Sequence, residues 1–214
     1  MIAVLAFLSG IMKTDAAGMP DSVSVRNVFA NMPDSVFELI PKGARLDCLD
    51  FFDSNMRSTV RDRMDGLIQI TSLSSDFLQL QSDSSLFVCF KILPCSRQND
   101  GYIICVSTTL KGSSDYSKLD FYNSDWNRLS GEDYITMPGL KRFVNSEYAK
   151  KDSLALLESV LPFVSYSIMI GDSEPVMEIS LTSQNQLGKE DSAYFSDWFA
   201  GRPVIFRWNG KRFK

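Results

Sequence analysis

Leu86-Phe-Val-Cys-Phe-Lys-Ile-Leu-Pro-Cys95 is the first half of the stretch that decides the fold, and Gly101-Tyr-Ile-Ile-Cys-Val-Ser107 is the second. In both runs the even-numbered positions are apolar, and this period of two is typical of β-strands. Gly101 ends a short polar turn that favours a left-handed glycine. The stretch therefore predicts an antiparallel hairpin whose even-numbered residues face a core.

The same hairpin predicts a disulfide between Cys95 and Cys105. A three-residue loop ending at Gly101 places residues whose numbers sum to about 200 opposite each other. These two cysteines would then face each other on the odd-numbered, water-facing side, close enough for a bridge. In the alternative, they are free thiols, as are Cys48 and Cys89.

Alternating apolar and polar residues extend on both sides of the hairpin. Runs at 67–70, 78–81 and 119–122 complete an antiparallel meander of about five short strands. A second set lies at 164–170, 177–182 and 204–213, where Asn209-Gly210 predicts a type I′ turn. Because every strand alternates, we expect one sheet face on the core and the other in water, with Lys91, Ser107 and Asp120 among the solvated residues.

Helical spacing precedes each set of strands. Leu46, Leu49, Phe52, Met56 and Val60 predict one apolar helix face, in a helix that Gly66 ends, and residues 146–161 predict another helix. The fold class is therefore α+β, an antiparallel sheet with helices packed on one face. The units are residues 18–130 and 131–214. They are interpreted either as two helix-plus-sheet repeats or as one continuous domain.

The first seventeen residues predict a signal peptide. The apolar run at 2–12 is too short to cross a membrane and is followed by small residues at Ala16 and Ala17. A buried N-terminal helix is the alternative. No later run has the length of a transmembrane span, so the mature protein is expected to be periplasmic or secreted without a membrane span.

Composition excludes several function classes. The chain has 22 Lys and Arg, 26 Asp and Glu, a net charge of −4 and no histidine. An acidic chain without a basic block is a poor nucleic-acid binder. Because histidine is absent, a Ser-His-Asp triad and most zinc sites are excluded within one chain. No catalytic residue, metal site or cofactor is predicted.

Four residues are candidates for a binding surface: Tyr122, Trp126, Trp208 and Lys211. Aromatic and cationic side chains are enriched at the centres of binding interfaces. In the alternative, both tryptophans cap the core at strand ends and Lys211 stacks on Trp208.

Four sequence elements carry a family resemblance. They are Val28-Phe-Ala-Asn-Met-Pro-Asp-Ser-Val36, Arg45-Leu-Asp-Cys-Leu-Asp-Phe51, Ser75-Asp-Phe-Leu-Gln-Leu80 and Phe121-Tyr-Asn-Ser-Asp-Trp126. Together they resemble a Bacteroidales family of uncharacterised exported proteins, a domain of unknown function. The resemblance implies an envelope or secreted protein and assigns no activity. The architecture is also similar to that of β-lactamase-inhibitor-like domains, as a fold analogy only.

These observations favour a non-catalytic binding or interaction module of the cell envelope, whose partner is an unknown protein or envelope component. A carboxylate-dependent hydrolase or lyase is one alternative, since 26 acids offer many pairs. A structural envelope component is the other alternative.

Overall fold

The computed structural model describes residues 23–56, 59–82, 85–98 and 101–214. The predicted signal peptide lies outside them. The described part contains helices and strands in two antiparallel sheets, which is an α+β fold, as predicted. In chain order the elements are α1 (Val25–Ala30), α2 (Lys42–Asp53), β1 (Val60–Arg61), β2 (Leu67–Leu73), β3 (Phe77–Ser82), β4 (Leu86–Pro94), β5 (Tyr102–Leu110), β6 (Tyr116–Tyr122), β7 (Arg128–Leu129), α3 (Lys151–Val160), β8 (Tyr166–Ile170), β9 (Val176–Leu181), α4 (Lys189–Tyr194) and β10 (Val204–Arg207), with short 3-10 turns between them.

The first sheet is a meander in which β1 to β7 lie side by side in chain order. Its longest pairing is β4 with β5, the predicted hairpin, which extends from Leu86 opposite Leu110 to Pro94 opposite Tyr102. The even-numbered residues of this hairpin form a core with α1 and α2, as predicted. Phe29 of α1 packs against Phe90 of β4 with ring centroids 5.3 Å apart.

The odd-numbered face of the first sheet is also buried, which corrects the expectation that it lies in water. The second sheet, in the order β10-β9-β8, packs against this face together with the loops around it. Leu93, Ile103 and Phe121 are fully or almost fully buried there. Alternation shows which residues share a face. It does not show whether another element covers that face.

Polar side chains on the covered face find partners across the interface between the sheets. The Ile168 N–H of β8 donates to Oγ of Ser117 over 2.8 Å, and Ser107 Oγ donates to the Ile168 carbonyl over 3.4 Å. Side chains of the first sheet thus satisfy backbone groups on the outer edge of β8. Lys91, Ser107 and Asp120, all predicted to be solvated, are buried. Ser107 bonds to β8 as just described, and Lys91 pairs with Asp76 and the Asp172 carbonyl. Asp120 pairs with Lys118 and Arg128.

The predicted helix from Leu46 to Gly66 is too long, and of its predicted apolar face within α2 only Leu49 is buried. Helix α2 ends at Asp53, and Val60 already belongs to β1. The buried positions are Ala44, Arg45, Cys48 and Leu49, whereas Leu46, Phe52 and Met56 are exposed. The error arises because the buried face includes a charged residue, Arg45, which hydrophobic periodicity does not count.

The predicted opposition of Cys95 and Cys105 is wrong. Because Pro94 pairs with Tyr102, paired numbers sum to 196, and Cys105 lies opposite Lys91. The loop between the strands is longer than three residues, so Cys95 lies beyond the paired region. All four cysteines are free. Burial raises the pKa of the Cys89 thiol to about 12 and that of Cys105 further still.

The C-terminal hairpin is confirmed, but its turn differs from the prediction. Trp208 bridges to Phe213, and Asn209 Oδ1 accepts the N–H groups of Lys211 and Arg212. Gly210 has a φ of +84°, whereas Asn209 does not enter the left-handed region that a type I′ turn requires of both residues. No helix in the described residues is long and apolar enough to cross a membrane.

Candidate functional site

Two of the four predicted binding residues lie together. Tyr122 ends β6, and Trp126 lies in the loop between β6 and β7, with their ring centroids 5.4 Å apart. Trp126 also meets the edge of Phe90, 6.4 Å away and at 79°. Neither contact is face to face. Burial, together with nearby Asp120, raises the pKa of the Tyr122 hydroxyl above its ordinary value.

The loop holds Trp126 in an unusual backbone conformation. Asn123 Oδ1 accepts the N–H groups of Asp125 over 3.1 Å and Asn127 over 2.8 Å, and the Trp126 N–H donates to the Asn123 carbonyl. In this turn Trp126 has a φ of +63°. For a bulky residue that region is strained by about 1–2 kcal/mol, and such strain concentrates at functional sites.

Helix α1 supplies the opposite wall. Val25 and Phe29 are buried, so Asn27 and Asn31, one turn apart, lie together on the outer side of the helix. Asn31 Nδ2 donates to the Asn27 carbonyl over 3.0 Å. Among the described residues the side-chain amide of Asn27 has no hydrogen-bond partner. Ser24, the N-cap residue, accepts the Asn27 backbone N–H.

Between these walls lies a groove of about 250 Å³, which we call the aromatic groove. The described residues of its lining combine aromatic, amide, hydroxyl and small apolar side chains, and none of them carries a formal charge. The residues are Val23, Ser24, Asn27, Val28, Asn31, Tyr102, Ser124 and Trp126. Such a groove can hold a small ring against the aromatic side while the amides form hydrogen bonds.

The structure places the other two predicted residues elsewhere. Trp208 donates its Nε1–H to the Pro94 carbonyl over 2.7 Å and packs against Tyr134 and Phe213. This arrangement fits the alternative in which Trp208 caps the core. Lys211 is exposed and does not stack on Trp208. In the described residues, cations lie over the rings of Phe77 and Phe87 instead.

A larger groove of about 650 Å³ lies beside β6 and β7. Leu119, Phe121 and Ile135 supply its apolar lining, and Arg128 and Glu132 bring charge. The Arg128 guanidinium is already paired with Asp120. The described residues contain no cluster of three or more Cys, Asp or Glu that could hold a metal ion.

Of the residues predicted from the sequence, Trp126 lines the aromatic groove and Tyr122 contacts its ring. Tyr102, Asn27 and Asn31 also line the groove and were not predicted. The spacing of the two asparagines on the exposed side of a short helix is the one signal that pointed to them. The fold alone reveals that this helix side borders the Trp126 loop.

The fold and the groove define an α+β protein with two antiparallel sheets and an aromatic groove, uncharged among its described residues, between α1 and the loop that holds Trp126. The chain belongs to the family described as "Protein of unknown function (DUF3256)", which it matches over residues 19–213. The predicted membership in a family of unknown function is therefore confirmed. No curated protein matches the chain.

A solved structure resembles this chain over most of its length. It is described as "Structure of a domain of an uncharacterized protein from Porphyromonas gingivalis W83". The TM-score is 0.75 at 20% sequence identity, and the match covers 90% of this chain and 99% of that one. At this identity the likeness concerns the fold alone.

Proposed function

We propose that the protein is an exported, non-catalytic binding module of the cell envelope and that the aromatic groove is its binding site. The observation that carries the proposal is the conformation of Trp126. A tryptophan at φ +63° lines an open groove, although glycine or asparagine would adopt that backbone without strain. Its contacts with Phe90 and Tyr122 hold the indole ring in place, and the ring forms part of the groove wall that a ligand would contact.

One further observation supports export. The family match begins at residue 19, two residues after the end of the predicted leader at 1–17. The similar structure comes from Porphyromonas gingivalis, which is consistent with the Bacteroidales resemblance and concerns the family rather than export. The analogy with β-lactamase-inhibitor-like domains stays a prediction.

A carboxylate-dependent hydrolase or lyase remains the alternative. Among the described residues that line the aromatic groove, none is acidic, so a pair of carboxylates would have to act elsewhere. A structural envelope component would need no groove at all. Both alternatives predict that changes in the groove leave envelope binding intact.

Co-sedimentation with isolated envelopes of a Bacteroidales bacterium tests the binding site. The wild-type protein is expected to pellet with the envelopes, and Trp126→Ala is expected to stay in the supernatant. Tyr194→Ala is the matched control, because Tyr194 of α4 is 64% exposed and does not line the groove. If Trp126→Ala pellets like the wild type, the groove is not the binding site.

Recovery of the protein from fractionated cells tests export. The mature N-terminus is expected at about residue 18, in the periplasmic or extracellular fraction. An uncleaved chain confined to the cytoplasm would overturn the proposed location.

A further inference from the structure

We infer that the aromatic groove takes an uncharged hexopyranose unit of a saccharide. The inference rests on the proposed function, because it names the ligand class of the same groove. The groove has two chemically different walls, one aromatic and one made of side-chain amides.

The aromatic wall suits a sugar ring better than a charged or extended ligand. Pyranose rings present a face of C–H bonds, which packs on the electron-rich face of an indole or phenol. Trp126 and Tyr102 both line the groove. The contact of Trp126 with Phe90 is edge-on, and that with Tyr122 is tilted, so in the described part of the chain no parallel ring covers the indole.

The amide wall matches the remaining chemistry of a sugar. Each asparagine amide offers two N–H donors and a carbonyl acceptor, which is the mixture that neighbouring hydroxyl groups require. In the described part of the chain the amide of Asn27 is unpaired, and Asn31 uses only Nδ2, on the Asn27 carbonyl. Both side chains are exposed on the groove side of α1, so they reach a ligand without breaking internal hydrogen bonds.

The size and the charge of the groove further limit the class of ligand that it can bind. A volume of about 250 Å³ lies just under the range of about 300–1,000 Å³ that is usual for drug-sized ligands, which leaves room for one ring of a longer chain. Among the described residues that line the groove, none is a cation that could neutralise a carboxylate or sulfate. Arg26, the arginine of α1, is paired with Asp53 of α2. An uncharged saccharide is therefore favoured over an acidic one.

Calorimetric titration of the full chain with hexasaccharides tests the ligand class. The neutral probes are cellohexaose, chitohexaose, laminarihexaose and maltohexaose, and the charged probe is a hexamer of galacturonic acid. At least one neutral probe is expected to bind. Trp126→Ala is expected to weaken that binding by at least about tenfold, as truncation at the centre of a binding site does.

A second variant guards against a folding defect in Trp126→Ala. Asn27→Ala changes an exposed side chain with no partner in the described residues, so it keeps the fold. It is expected to weaken the same binding several-fold, whereas Tyr194→Ala leaves it unchanged. Binding that neither groove variant alters would overturn the inference.

The remaining outcomes separate the two proposals. If no neutral probe binds at millimolar concentration, or if only the galacturonate hexamer binds, the saccharide inference fails. Envelope co-sedimentation that still depends on Trp126 would then leave the binding module standing with a different ligand. Loss of that dependence would overturn the proposed function itself.

Discussion

The guanidinium of Arg45, fully buried in α2, donates from Nη1 to Oδ1 of Asp34 over 2.9 Å. The same guanidinium donates to the carbonyls of Ile40, over 2.8 Å, and Met32. Asp34 Oδ1 also accepts the backbone N–H of Lys42 at the start of α2. One ion pair thus joins the Asn-Met-Pro-Asp-Ser and Arg-Leu-Asp sequence elements and fixes the connection between the first two helices.

Asp34→Asn is expected to lower the free energy of unfolding by about 1–2 kcal/mol. Removing one partner of a buried pair costs about 3–5 kcal/mol, and this is reduced here because the Asp34 side chain is 42% exposed. Urea denaturation measures the change. Glu174→Gln is the control, since its pair with Arg207 is exposed on both sides and should contribute under about 0.5 kcal/mol. Equal effects of the two substitutions would show that burial of Arg45 does not matter.

Lys91→Met is expected to loosen the attachment of the second sheet. The buried ammonium of Lys91 pairs with Asp76 Oδ2 over 2.8 Å and donates to the carbonyl of Asp172, in the turn between β8 and β9. The methionine fills similar space but leaves both acceptors unpaired, which costs about 2 kcal/mol. Hydrogen exchange by mass spectrometry should show faster exchange at residues 171–175.

Lys118→Met is the matched control for Lys91→Met. Lys118 is 57% exposed, and its partner Asp120 keeps Arg128, so stability and exchange should change little. Unchanged exchange at residues 171–175 in Lys91→Met would contradict a clamping role for Lys91.

The hairpin of β4 and β5 was predictable because a period of two in the side chains directly reports a strand. The cover on its odd-numbered face was not predictable, because the partners of Lys91 and Ser107 lie far away in the chain, at Asp172 and Ile168. The cysteine register failed for a local reason. The observed pairs sum to 196 and the predicted pairs to 200, so every opposing pair changes, but because the difference is even the odd-numbered residues still share one face.

Only the aromatic side of the candidate site could be predicted from the sequence. Tyr122 and Trp126 stand out as aromatic residues at the end of a strand, and their closeness follows from their spacing. The asparagines of α1 are about a hundred residues away in sequence. They line the groove because Phe29 packs against Phe90, and this packing turns the opposite side of α1 toward the loop that holds Trp126.

Stability is expected to fall as the pH rises from about 9 to 12. Burial raises the pKa of the thiols of Cys48 and Cys89 to about 12 in the folded protein, and Asp47 adds to the shift for Cys48. In this window the unfolded chain loses thiol protons that the folded chain keeps, so rising pH favours unfolding. Urea midpoints across this range measure the slope.

Cys89→Ala is expected to make that slope shallower than in the wild type, whatever its effect on stability at pH 7. The comparison removes the contribution of lysines and tyrosines, which titrate in both proteins. Identical slopes would mean that Cys89 keeps no raised pKa in the folded state.

Trp126→Gly is expected to be more stable than Trp126→Ala by about 1 kcal/mol. Both variants lose the ring contacts with Phe90 and Tyr122, so both fall below the wild type. Only alanine retains the steric cost of a Cβ atom at φ +63°. The order should reverse at Tyr122, where the backbone is a regular strand and glycine is less stable than alanine by about 0.5–1 kcal/mol. Urea denaturation of the four variants measures both differences, and a glycine variant at 126 that is no more stable than the alanine variant would show that the loop stores no strain there.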